Sequence, residues 1–337
     1  MSTQKKPVPW QKLIAPYAKA DWRKAWMQVL NTIPVYLILW TLTIWAANKT
    51  WWLGVLLAIP TAGFMIRTFI IFHDAGHGSF FPSRKANDII GFITGVLTWT
   101  PSHRWWHDHA IHHATAGDLD RRGVGDVKTL TVEEYLALPW ERKLFYRLFR
   151  APIFMFTIGS FSVFAFVHRI PFPHNGRREK ASVWWTNLAL LFWCAFWIAL
   201  FGWRAFLITQ VCVLAFGTSA GVWLFYVQHN FDGTYWTRHE NWSFFDAAMK
   251  GSSYYKLPPI LQWITGNIGF HHIHHLSPKV PNYNLARCHA EVPEFQVEPL
   301  TIRKSLRSLR YRLWDERARK MVGWEAIKRY KLQNSPT

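Results

Sequence analysis

The chain has 337 residues, half of them hydrophobic, with 22 Trp, 25 Phe and a formal charge of +19. That composition excludes a pair of ordinary soluble domains, because apolar blocks alternate with strongly basic ones and the near-zero mean hydropathy conceals the alternation. The excess charge does not read as a nucleic-acid surface: the cations flank apolar runs, as Lys5, Lys6, Lys12, Lys19, Arg23 and Lys24 do before the first.

Residues 1–26 read as a basic cytosolic N-terminal segment. It lacks the layout of a cleaved signal peptide, so the first apolar run is expected to stay in the protein. Residues 27–72 form a first transmembrane hairpin, with spans at 27–47 and 51–72 that are long enough to cross a hydrocarbon core of about 30 Å. Residues 73–183 are expected to be the first part of a cytosolic cap. Within it, the apolar runs 89–100 and 152–168 read as interfacial or re-entrant helices. A second hairpin covers 184–228, with spans at 184–203 and 205–228. Tryptophans near both tips, among them Trp45, Trp51, Trp52 and Trp203, fit interfacial belts. Residues 229–337 complete the cap. In its basic tail, Arg303–Lys331, the spacing of Leu306, Leu309, Leu313 and Trp314 predicts an amphipathic helix at the membrane surface. A docking face for an acidic partner is a compatible second reading. The expected fold class is therefore an all-α integral membrane protein: four transmembrane helices in two hairpins, interfacial helices and a His-rich cytosolic cap. Cys194, Cys212 and Cys288 show no metal or disulfide spacing, which fits the reducing side of a membrane.

Nine histidines dominate the polar segments: His73 and His77 in HDAGH, His109, His112 and His113 in HAIHH, His229 in QHN, and His271, His274 and His275 in HHIHH. Spacings of three and four place each cluster on one helical face. One divalent ion rarely takes more than four to six protein ligands, so nine imidazoles imply two ions, of a metal that ligand type alone leaves open. The clusters also constrain topology. If 89–100 crossed the membrane, His109, His112 and His113 could never meet His73 and His77. Four crossings bring every cluster to one face, and five would separate them.

The motifs FIIFHDAGHGSFF, HAIHHATAGDLDRRGVGDVKTLTVEEY, GVWLFYVQHNFDGTYW and GSSYYKLPPILQWITGNIGFHHIHHLSPKVPNY resemble those of the membrane fatty acid desaturase superfamily. The likeness runs from about residue 30 to about residue 330, and is greatest to the bacterial acyl-lipid (phospholipid) desaturases of the Δ5 type. It implies two iron ions held by His73, His77, His109, His112, His113, His229, His271, His274 and His275. A departure stands at Phe225, where animal acyl-CoA members have an Asn that contacts the site through water. Asp74, His107, Asn267 and His272 are candidates for holding a ligand imidazole by its far nitrogen; Asp246 is a weaker one. Arg67, the one charge within the spans, is a substrate-binding candidate.

Removing hydrogen from an unactivated methylene lies beyond side-chain acid–base chemistry, so the hard step belongs to a cofactor. The resemblance implies O2 as co-substrate, two external electrons, and a cis double bond placed in an acyl chain of a membrane phospholipid. The chain has no dinucleotide fingerprint or haem module, so an acidic electron-transfer protein is implied. A ferredoxin or flavodoxin is favoured over cytochrome b5, steered by the basic surface. The expected location is the inner cell membrane, multi-pass, with both termini and the site cytoplasmic. A di-iron lipid hydroxylase is the alternative enzyme. A His-rich metal transporter fails because the spans carry too few ionisable residues.

Overall fold

The computed structural model describes residues 9–333; Lys5 and Lys6 lie outside the described residues. A short helix α1 (Trp10–Ile14) sits against the C-terminal half of the cap, with Ile14 and Tyr17 buried among Leu285, Cys288 and Phe295. The Asp21 carboxylate then caps α2 (Trp22–Leu30) by accepting from the Lys24 amide at 2.9 Å. The chain breaks at Asn31–Thr32 and resumes as α3 (Ile33–Lys49). After Thr50 alone it returns as α4 (Trp51–Gly76), whose last turn carries His73.

Among the described residues, four helical segments are long and apolar enough to cross a membrane: Trp22–Lys49, Trp51–Gly76, α10 (Arg177–Phe201) and α11 (Trp203–His229). They are the two expected hairpins, but each helix outruns its apolar stretch. Backbone hydrogen bonding does not stop where the side chains turn polar, so α4 and α11 continue into His73 and His229. A core of Tyr36, Trp40, Ile44, Met65, Trp197 and Leu214 ties α3, α4, α10 and α11 together.

The two weaker apolar runs take different forms. Residues 89–97 belong to α5 (Arg84–Leu97), capped by Ser83; it buries Ile90, Thr94 and Leu97 while Ile89 and Ile93 face outward. This two-faced pattern suits a helix lying along the bundle. It leads through Thr98–Pro101 into α6 (Ser102–Thr115), which carries the second His cluster. After α7 (Val132–Ala137) and α8 (Trp140–Phe149), the second run is a π-helical turn, Phe154–Gly159, continued by α9 (Ser160–Ala165) and a short 3-10 turn. This stretch is bent 70° against α8.

The C-terminal half adds α12 (Phe244–Gly251), α13 (Pro259–Ile264), α14 (His271–Leu276) and α15 (Asn282–Glu291). The tail does not form the expected amphipathic helix. It breaks into α16 (Ile302–Ser305), a 3-10 turn, two strands and α17 (Ala326–Gln333). Strand β1 (Leu130–Thr131) pairs in parallel with β4 (Leu313–Asp315), which pairs antiparallel with β5 (Lys320–Val322). Strands β2 (Tyr254–Lys256) and β3 (Pro299–Thr301) form a second parallel pair. Leu313 and Trp314 are 0% and 2% exposed, sealed between the cap halves. Burial of that size outweighs a helical spacing of leucines, and only Leu306 of the proposed stripe remains well exposed.

Candidate metal centre

The nine histidines of the four clusters fall into two adjoining groups. His73, His77, His109, His113 and His274 form one; His112, His229, His271 and His275 form the other, with the ring nitrogens of each group within 4.8 Å of one another. Eight are buried and His77 is half-buried. The groups touch where the His113 and His275 rings stack at 4.1 Å. The elements responsible are the last turn of α4, the second half of α6, the last turn of α11 and all of α14.

Ring chemistry tests whether these side chains suit cations. His229 Nδ1 faces the Gly251 carbonyl at 3.2 Å, an acceptor only, and so carries the proton. His112 Nδ1 is likewise bonded to the Asp126 carboxylate. Neutral imidazoles so committed present bare lone pairs at Nε2, yet His112 Nε2 and His229 Nε2 lie 3.2 Å apart, and His271 Nε2 is 3.0 Å from His229 Nε2. In the other group His113 Nε2 lies 3.1 Å from His109 Nε2 and 3.0 Å from His274 Nε2. As an acceptor to both, His113 Nε2 would leave its proton on Nδ1, which is buried with no partner. The buried His77 Nε2 and His275 Nε2 find no hydrogen-bond partner. A cation among each set would give each of these Nε2 atoms a partner. Burial, and after it the neighbouring imidazoles, pushes His109, His113, His271, His274 and His275 well below the usual histidine range. At neutral pH they are uncharged lone-pair donors, the form a metal requires.

The remaining candidates separate clearly. His73 Nδ1 donates to Asp74 Oδ1 at 2.9 Å, and Asp74 Oδ2 accepts from the Asn282 amide at 2.6 Å and from Asn282 Nδ2 at 2.8 Å. Asn267, with φ at +60°, reaches the Asn282 carbonyl at 3.3 Å. Asn267, Asn282, Asp74 and His73 thus form one chain of contacts. By contrast His107 points outward from α6. His272, though buried, turns away to the Phe295 carbonyl at 2.9 Å. Asp246 pairs with Lys250. Arg67 is buried, and three of its five N–H donors bond to protein, to Thr32 Oγ1 at 3.0 Å, Asn31 Oδ1 at 3.3 Å and the Trp263 carbonyl, with the guanidinium 3.7 Å from the Trp263 ring. These contacts tie Arg67 to the break between α2 and α3, whose acceptors its charge satisfies.

Of several other neighbours of the histidines, the sequence singles out only Phe225, and only through the family resemblance. Asp126 lies in a Gly-rich loop with no periodicity. Trp105 stacks on His109 at 4.4 Å, and Phe225 packs against both His112 and His229, at 5.1 and 5.3 Å. Trp106 sets how α6 meets α4 and α5. It lies where Cβ atoms on Gly76 and Gly91 would come within 2.2 and 2.3 Å of its ring, and its Nε1 donates to the Phe72 carbonyl at 3.1 Å. Only glycine at both positions admits the indole. A pair of alternating small and large residues across three elements is invisible to a one-dimensional reading.

Residues 49–305 match the family model described as fatty acid desaturase. A fatty acid desaturase of Bacillus subtilis (strain 168) is 45% identical over 326 residues, covering 96% of this chain and 93% of the relative. An sn-1 oleoyl-lipid 12-desaturase of Synechocystis sp. is 28% identical over 80% of this chain and 76% of its own. An sn-1 acyl-lipid omega-3 desaturase (ferredoxin) from the same organism is 32% identical over 65% and 61%.

Proposed function

The chain belongs to the fatty acid desaturase family, and from that premise we propose that it is a membrane-bound di-iron desaturase placing a cis double bond in the acyl chains of membrane phospholipids. The observation that carries this reading is the pair of adjoining imidazole groups at the ends of apolar helices. Iron held there would supply the O2 activation and hydrogen abstraction that an unactivated methylene demands. The nine histidines would be the ligands, five facing one ion and four the other. Asp74 and Asp126 hold His73 and His112 by their Nδ1 protons, fixing ring orientation and raising ligand basicity. Trp105 and Phe225 cover ligand rings with apolar surface and keep water from those faces of the site.

Sidedness follows from charge and convergence. The His-bearing ends of the spans carry Arg23, Lys24, Arg177, Arg178 and Lys180, whereas the hairpin tips carry only Lys49 and Arg204, a bias that supports a reading with the site, the N-terminus, 73–183 and 229–337 on the cytoplasmic side of an inner cell membrane. His112 and His229 meet at 3.2 Å, which supports reading the bent stretch between α8 and α10 as returning to the side from which it starts, since a crossing would separate them by about 30 Å. Two electrons per turnover come from an acidic protein such as a ferredoxin or flavodoxin, a reading supported by the ferredoxin-dependent relative. The test is a substrate lipid deuterated at the vicinal carbons. The major product loses two deuteriums and gains no oxygen; a predominantly hydroxylated chain would instead make the protein a di-iron hydroxylase.

A further inference from the structure

A cavity of about 390 Å³ opens between α5, the start of α6 and the start of α10, apart from the metal centre. Its lining is apolar at Phe92, Ala181 and Trp185 and polar at Asp88, Ser102, His103, Arg178 and Ser182. Its depth in the membrane is marked by sequence. Arg177, Arg178 and Lys180 occupy the first turn of α10, and Trp184 and Trp185, both 62% exposed, follow within two turns. Cations succeeded by outward tryptophans are the pattern of the headgroup region. Arg84, one turn before Asp88 on α5, adds a second cation to this rim.

Charge in the cavity is arranged in two signs. Arg178 and Asp88 are 3.7 Å apart, long for an ion pair, with side chains 55% and 39% exposed. Such a pair holds itself together weakly, so a ligand offering each partner a better counter-charge can replace it. His103 is fixed beside it, its ring 5.0 Å edge-on to Trp106. Arginine favours phosphate through its planar fork, a carboxylate favours an ammonium, and the apolar wall favours acyl chain. We propose that this cavity binds the headgroup of a zwitterionic aminophospholipid of the surrounding bilayer. The phosphodiester meets Arg178 and His103, the ammonium meets Asp88, and the chains run beside Phe92 and Trp185. The site goes beyond the desaturase reading and does not depend on it.

The test uses the full-length, metal-loaded protein in phosphatidylcholine nanodiscs containing spin-labelled phosphatidylethanolamine or, separately, spin-labelled phosphatidylglycerol. The expected result is a protein-immobilised signal for the ethanolamine lipid that exceeds that for the glycerol lipid. Arg178→Gln and His103→Ala lower immobilisation of both lipids several-fold, whereas Asp88→Asn removes the preference for ethanolamine and leaves the glycerol lipid held. Bound metal, measured on the same samples, stays at the wild-type level in all three variants, which separates failure of this site from failure of the metal centre. Equal immobilisation of the two headgroups by the wild type, or a signal indifferent to all three substitutions, would overturn the proposal. So would full displacement of the lipid by soluble phosphoethanolamine or inorganic phosphate, which would assign the cavity to a free phosphate compound.

Discussion

His112 and His229 point their Nε2 atoms at each other across 3.2 Å, while each ring's Nδ1 proton is committed to a different acceptor, Asp126 for one and the Gly251 carbonyl for the other. Two lone pairs in that position repel unless a cation lies between them. Purified protein should therefore hold close to two iron ions per chain. Alanine at any of the nine histidines should lower iron content and abolish turnover, while alanine at the surface-facing His107 should do neither. Equal losses from His107→Ala and His271→Ala in a metal assay would remove the ligand assignment.

Asp126 gives a sharper test because it touches no metal itself. Replacing it by Asn keeps its shape but removes the charge that holds His112 Nδ1–H. Carboxylates in this role are worth roughly 10–100-fold in metal affinity. Asp126→Asn should weaken iron binding by that order in chelator competition, and predominantly at one of the two ions. Asp74→Asn should do the same at the other. An unchanged competition curve for both would make the contacts incidental.

Reporter cysteines test the topology, on a background with Cys194, Cys212 and Cys288 replaced. Sites at Arg121, Arg177 and Gly233 should resist an impermeant reagent added outside intact cells, and one at Asn48 should react. Labelling at Arg121 from outside would contradict the shared face on which all nine histidines rest.

The seat of Trp106 predicts an effect at a distance. A Gly91→Val side chain must occupy the volume of the indole, since even a Cβ there stands 2.3 Å from it. Overpacking of this kind costs about 1–3 kcal/mol, and the strain falls on the angle between α4 and α6. Metal content should drop although no ligand changes. Normal iron content in a stably folded Gly91→Val protein would show that α6 is held by other contacts.

The tail's folded form redirects the question of its charge. Leu313 and Trp314 are buried in a strand, so no continuous apolar stripe remains to lie in the interface, and Arg310 and Arg319 stand exposed. Reversing both to Glu should slow turnover driven by an acidic ferredoxin, most strongly at low salt. Turnover with a small chemical reductant should be unaffected. If both rates fall together, the tail supports the fold or the membrane contact instead of the donor.

Much of the site was legible because helical periodicity is a local property. Clusters spaced by three and four residues, as in His109–His113, share a helical face whatever surrounds them, and the expectation that they meet pointed to an even number of crossings between them. The span boundaries were less legible. Hydropathy ends at Phe72, yet α4 continues through His73 to Gly76 because its backbone bonds do not respond to side-chain polarity.

The sequence by itself determined the membrane class, the two hairpins and the nine imidazoles, since each rests on composition or spacing within one segment. Tertiary structure alone decided how the nine divide, five and four, because His112 and His113 are adjacent in the chain yet face different groups. It also decided that Asp126 and Asp74 bond the rings of His112 and His73, that Arg67 braces a helix break, and that Leu313 and Trp314 join a strand. Except for Asp74, which adjoins His73 on α4 and is fixed by Asn282 from α15, the partner lies on a different element, and the free energy comes from burying and pairing groups that no local pattern connects.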